Sequence, residues 1–235
     1  METTDWHLLL WPGLGTGLLG AVLALLVARF VVPRLPEPEL EDDYAKPLYR
    51  DLLHPRAIVG SIVLGFCAAL VAPQAGSMMW AAVALAAAGA ALVVVDAHTT
   101  YLPARLHWLT VALVMLGGLL GVTLGEPPGR WLVFALGALF GAVAGYALFW
   151  VVWRFGDGFG YGDVRLAGLV GGFAGAMGIQ PWWQSLLASA VIGAVLGIGV
   201  ALWRRRRPSP LGSAFPYGPA LWAGPFVALW VGLVP

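Results

Sequence analysis

Two aspartates stand where aspartates are costly. Asp96 follows the apolar run AALVVV, and Asp163 opens another apolar run in GYGDVRLAG. A charge at the centre of a spanning helix costs on the order of 3 kcal/mol or more, so an ionisable residue at such a place is a functional-site hypothesis by default. The two settings differ. Asp163 lies near a predicted helix N-terminus, where unpaired N–H groups and the helix dipole favour the anion. Asp96 lies near a predicted helix C-terminus, where exposed carbonyls disfavour it. Two carboxyls within a few ångströms share a proton and titrate as a pair. The ionised member activates a water, and the protonated member donates to a carbonyl or a leaving amine. In this division Asp163 is the base and Asp96 starts as the acid, with the roles free to exchange during turnover. Taken singly, each has a plain structural reading: Asp163 caps a helix and Asp96 ends one. Either would also serve ion transport.

The neighbours of Asp163 fit an approached surface. Gly160 and Gly162 carry no side chains, so a substrate backbone can come close to the carboxylate. They equally suit a tight turn and close packing. Asp157 is a third acidic residue at the same boundary. His98, two residues after Asp96, is read chiefly as an interfacial loop residue, with orientation of Asp96 or substrate contact as the sharper alternative. His7, His54 and His107 show no metal-ligand spacing, so no metal site is expected.

The elements that must position the aspartates are membrane helices. Of 235 residues, 60% are hydrophobic and 11% charged. That balance excludes an ordinary soluble domain. Apolar runs recur from end to end, which predicts an all-α polytopic membrane protein, with Trp gathered at the interfaces. Eight helices are expected, at about residues 8–32, 57–74, 78–96, 107–124, 131–153, 164–180, 182–203 and 217–234. The sixth, short and Gly-rich, has a re-entrant segment as its alternative. The N-terminus METTDWH has no Lys or Arg, so no cleavable secretory signal is expected.

Lys and Arg collect in cytoplasmic loops. With eight spans and the N-terminus outside, Arg29, Arg34, Lys46, Arg50, Arg56, Arg105, Arg154, Arg165 and Arg204 to Arg207 fall inside, twelve of the 13 basic residues. Arg130 falls outside. Without a crossing at 164–180, the run RRRR would move outside. The expected topology is N-out and C-out, which puts Asp96 and Asp163 on the cytoplasmic side. Residues 1–235 then form a single integral-membrane domain with a short cytoplasmic segment at about 33–56. The acidic EPELEDD of that segment reads as a solvated face. Cys67 lies in an apolar run and reads as packing. Glycines at four-residue spacing, namely Gly137, Gly141 and Gly145, Gly171 and Gly175, and Gly193 and Gly197, predict close helix contacts. No phosphate-binding glycine loop is present, and RRRR reads as a topology anchor, so no nucleic-acid partner is expected.

These segments together resemble the prepilin peptidases. GYGDVRLAG is similar to their GxGD motif. VVVDAHTTYLPARL resembles their first aspartate segment, an apolar run followed by Asp and then Leu-Pro, here Asp96, Leu102 and Pro103. Asp157 matches a position often held by Glu. FPYGPAL, Phe215 to Leu221, is similar to the family's PFGP segment, and GAVLALLVARFVVPRLP resembles the opening helix of full-length members. The resemblance implies an eight-helix aspartic peptidase of the inner membrane, its active site facing the cytoplasm. It would remove the short basic leader from type IV prepilins or pseudopilins with Asp96 and Asp163, supported by Asp157, Gly160, Gly162, Pro216 and Gly218. Proteolysis of this kind needs no cofactor.

The chain also departs from the family pattern. The two CxxC pairs that bind zinc in many members are missing, so the resemblance is to a short form without that cytoplasmic domain. S-adenosylmethionine would matter only if an N-methyltransferase activity is retained. Ala104 stands for the usual Asp or Asn, and Arg165 for the usual Lys. Two other classes stay open: a non-catalytic scaffold of a pilus or secretion machine, and a proton- or cation-coupled carrier. Carriers usually hold such carboxylates near the midplane within inverted repeats. Here the carboxylates sit at one interface. A presenilin-like protease is disfavoured because Val95, not Tyr, precedes Asp96.

Overall fold

The computed structural model of the chain describes residues 6–37, 48–156, 160–205 and 215–232. The described residues are mostly helical, with no strand among them. Eight α-helices follow in chain order: α1 (Trp6–Leu26), α2 (Pro55–Ala69), α3 (Met79–Thr99), α4 (Ala104–Gly125), α5 (Pro128–Phe155), α6 (Tyr161–Met177), α7 (Ile179–Arg204) and α8 (Gly218–Val231). α1 runs on through an irregular turn, Val27–Val31, and a 3-10 turn, Val32–Arg34. Among the described residues five segments are long and apolar enough to cross a membrane: Trp11–Arg34, Ala72–Thr99, Ala104–Gly125, Pro128–Phe155 and Ile179–Trp203. The molecule is an all-α polytopic membrane protein.

Boundaries shift from the sequence expectations for local reasons. α2 ends at Ala69 rather than near residue 74, and a 3-10 stretch, Ala72–Met78, follows, containing Pro73 and a left-handed Gly76. A proline lacks the N–H that a continuing helix needs. α3 runs three residues past Asp96, so that aspartate sits inside the last turn instead of ending the helix. α6 starts at Tyr161, and Gly178, at φ 124°, ends it.

α3 is the central helix, with nearly every residue from Ala81 to Asp96 buried. Its small side chains let the others come close. α8 is keyed to it by Trp222, whose indole lies over Gly89 and donates from Nε1 to the Leu85 carbonyl at 2.9 Å. Any Cβ at Gly89 would collide with that ring. α5 and α6 pack through their glycines: a Cβ at Gly137, Gly141 or Gly145 would strike the backbone carbonyl of Gly175, Gly171 or Ala167 respectively. The four-residue glycine spacing is therefore a backbone-to-backbone contact, the arrangement small residues permit. Gly193 behaves differently, because the ring of Tyr217 fills the space a Cβ would need. The partner there is an aromatic ring from the segment before α8, not another helix backbone.

Candidate active site

Asp96 and Asp163 come to the same end of the bundle, and both are buried, at 3% and 6% exposure. Asp163 is the third residue of α6. Its N–H donates to the Gly160 carbonyl at 3.0 Å, and its Oδ2 accepts the Gly160 N–H at 3.1 Å. A carboxylate in the first turn satisfies an otherwise orphaned donor there. Oδ1 is buried with no partner among the described residues. Asp163 stands near enough for its charge to act on Asp96 and on Tyr217. The ion pair found among the described residues, Arg130 with Glu126, lies at the opposite end of the bundle.

Asp96 is held from another helix. Its Oδ2 accepts the Gly218 N–H of α8 at 3.1 Å. A Cβ on Gly218 would stand 2.6 Å from that oxygen, so only glycine lets the first turn of α8 come this close. Behind Asp96 the chain turns sharply. Thr100 donates its N–H to the Asp96 carbonyl at 2.6 Å and adopts a left-handed conformation at φ 58°. That conformation is unusual for a β-branched residue. Thr99 braces the turn, giving its hydroxyl to the Val95 carbonyl and accepting the Tyr101 N–H. The turn carries Leu102 under the start of α6.

There the geometry decides between the two readings of Gly162 in favour of close packing. A Cβ on Gly162 would lie 2.7 Å from the Leu102 Cβ, so the space beside Gly162 is filled by this chain's own leucine and is not open to a substrate. Gly160 has ordinary extended backbone angles, and a Cβ there would meet Asp163 Oδ2 only at 3.7 Å. Its contribution is its N–H. Pro216 is half-buried in the short segment leading into Gly218. Asp157 lies outside the described residues, as do most of EPELEDD and the end of RRRR.

His98 is engaged away from the pair. Its Nδ1 lies 2.8 Å from the Val94 carbonyl, and its ring meets that of His54 edge-on at 5.5 Å. His54 itself caps α2, its Nδ1 accepting the Ala57 N–H at 3.2 Å. The described ends of the 33–56 segment fold onto each other beside these histidines. Glu37 accepts the N–H groups of Tyr49 and Arg50 at 2.9 and 3.4 Å. Burial, with Glu37 and Tyr101 close by, pushes the Tyr49 hydroxyl up to about 12.

Two residues that the sequence assigned no part stand at the site's edge. Arg165 donates from Nη2 to the Leu102 carbonyl at 3.0 Å, and its charge reaches the buried His107 of α4. Among the described residues no group of three or more His, Cys, Asp or Glu is placed to hold a metal ion.

A multi-helix membrane protein with two buried carboxyls at one end defines the class; comparison with known proteins shows which family it resembles. Residues 83–198 match the type IV leader peptidase family. The matched span holds both aspartates, and over it the chain is similar to that family. It is 36% identical over 174 residues to a prepilin leader peptidase/N-methyltransferase of Burkholderia pseudomallei (strain 1026b), covering 70% of this chain and 50% of that protein. Proteins of the same name are 37% identical over 122 residues in Pseudomonas putida, covering 44% of this chain and 40% of that one, and 32% identical over 158 residues in Aeromonas hydrophila, covering 61% and 45%. The chain thus spans half or less of the length of these relatives. No solved structure matches it.

Proposed function

We propose that this chain is an aspartic endopeptidase that removes the basic leader from type IV prepilins or pseudopilins at the cytoplasmic face of the inner membrane, with Asp96 and Asp163 as the catalytic pair. The observation that carries this reading is the meeting of three distant motif segments: Asp96 bonded to Gly218, and Gly162, next to Asp163, packed on Leu102 of the turn that follows Asp96. The match to the type IV leader peptidase family supports a leader peptidase, and the relatives' names supply the substrate class.

In the proposed reaction the ionised carboxyl takes a proton from a water, whose oxygen attacks the carbonyl carbon of the scissile peptide. The protonated carboxyl gives its proton to the carbonyl oxygen, forming a neutral tetrahedral diol. The diol then collapses. The carboxyl that took the water's proton passes it to the leaving nitrogen, the C–N bond breaks, and the second carboxyl recovers a proton from the diol hydroxyl. Asp163, whose Oδ1 has no partner among the described residues, suits the first role. Asp96, with Oδ2 tied to Gly218, suits the second. Proteolysis by this route uses no cofactor. The methyltransferase half of the relatives' name, with its S-adenosylmethionine, is not carried over to this chain.

The test is co-expression with candidate prepilins, read by immunoblot, beside Asp96→Asn and Asp163→Asn. Leader removal by wild type and by neither variant is expected. Cleavage that survives both substitutions sinks the aspartyl mechanism. No cleavage by folded wild-type protein with several prepilins shifts the reading to a scaffold or a carrier.

A further inference from the structure

Arg165 stands at a junction of chain segments. It is the fifth residue of α6, two residues after Asp163. Residues two apart on a helix do not share a face, so the guanidinium points away from the carboxylate and toward the turn that follows Asp96. There Nη2 donates to the Leu102 carbonyl at 3.0 Å, while Leu102 presses its side chain into the space beside Gly162. The guanidinium also stacks over the Tyr161 ring at 5.7 Å, and the Tyr161 hydroxyl lies 2.8 Å from that of Tyr146 on α5. Its charge reaches His107 on α4. One side chain therefore ties the Asp163 helix to the segment that leaves Asp96 and, through Tyr161, to α5.

We infer that Arg165 is a positioning residue that sets the spacing of the two aspartates by clamping the Leu102 turn to the start of α6. The clamp needs little reach but a fixed direction. Arg supplies a planar fork with several donors, and Lys a single rotatable ammonium that can still donate to one carbonyl. Gln at this position is too short to keep the contact without moving α6. Among the described residues Nε is buried with no partner and the guanidinium makes no ion pair, so it holds its place there through Leu102 and Tyr161. The effect on catalysis rests on the peptidase reading above; the clamp itself does not.

Two measurements on purified full-length Arg165→Gln and Arg165→Lys test this in parallel. Hydrogen exchange read by mass spectrometry follows peptides covering residues 97–106 and 160–168. The Gln variant is expected to exchange faster in both peptides while α5 and α7 keep wild-type protection, and the Lys variant to fall between. Leader-cleavage kinetics are expected to show kcat lowered on the order of 10²-fold in the Gln variant, the scale of loss a misplacement of about 1 Å produces. KM should stay unchanged, and Lys should recover most of the rate. Unchanged exchange in both peptides overturns the clamp, whatever the activity. A raised KM with kcat preserved overturns the positioning role and makes Arg165 a substrate contact. If wild type cleaves no prepilin, the function reading fails, while exchange still decides whether Arg165 is a clamp.

Discussion

At the residue scale, the site depends on how closely backbone can approach the carboxyls. Gly218→Ala places a methyl 2.6 Å from Asp96 Oδ2, so either α8 retreats or the carboxylate turns away. We expect kcat for leader cleavage to fall on the order of 10²-fold, since the loss is one of geometry. Steady-state kinetics with a purified prepilin check this. The two glycines before Asp163 should separate cleanly. Gly162→Ala meets Leu102 at 2.7 Å and is expected to destabilise by about 1–3 kcal/mol, the usual range for overpacking. Gly160→Ala adds a methyl at ordinary contact distance and should change the rate by no more than about twofold, corresponding to about 0.5 kcal/mol. Equal effects of the two substitutions would contradict the assignment of Leu102 to the space beside Gly162.

At the element scale, the height of α6 against α5 decides where Asp163 sits. That height is set by the Gly137, Gly141 and Gly145 row meeting Gly175, Gly171 and Ala167. Gly141→Val drives a branched side chain into the Gly171 carbonyl. The expected result is a lower melting temperature in detergent together with reduced cleavage, because separating the helices moves the carboxylate. Gly199→Ala, in α7, is the control. A Cβ there meets nothing within 4 Å, so the variant should be neutral or stabilised by up to about 1 kcal/mol through helix propensity alone. Differential scanning fluorimetry distinguishes the two. The glycine spacing was legible in the sequence for α5 and α6, where both rows repeat every four residues. It misled at Gly193, where the spacing is the same but the occupant is the Tyr217 ring. Spacing shows that a helix has a smooth stripe; it does not say whether a backbone or an aromatic ring lies on it.

At the scale of the whole molecule, the aspartates and the basic loops should share one side of the membrane, with Arg130 on the other. In a Cys67→Ser background, Arg130→Cys is expected to react with a membrane-impermeant thiol reagent in intact cells. Arg56→Cys should react only after permeabilisation. Labelling of both from outside would overturn the N-out, C-out topology proposed from the charge distribution.

The sequence alone determined the class and the eight helices among the described residues, and it singled out the two aspartates as candidates, because each of these is a local matter. Transfer of apolar runs out of water needs no knowledge of neighbours, and a carboxyl at the end of such a run is anomalous whatever surrounds it. Tertiary structure decided what holds the carboxyls: the Gly218 N–H on Asp96, Leu102 in the space beside Gly162, and Arg165 across the Leu102 turn. A membrane helix is apolar all round, so its pattern does not mark the face that turns inward. Those contacts follow from close packing between segments far apart in the chain, such as Trp222 keyed into Gly89, which brings Gly218 onto Asp96.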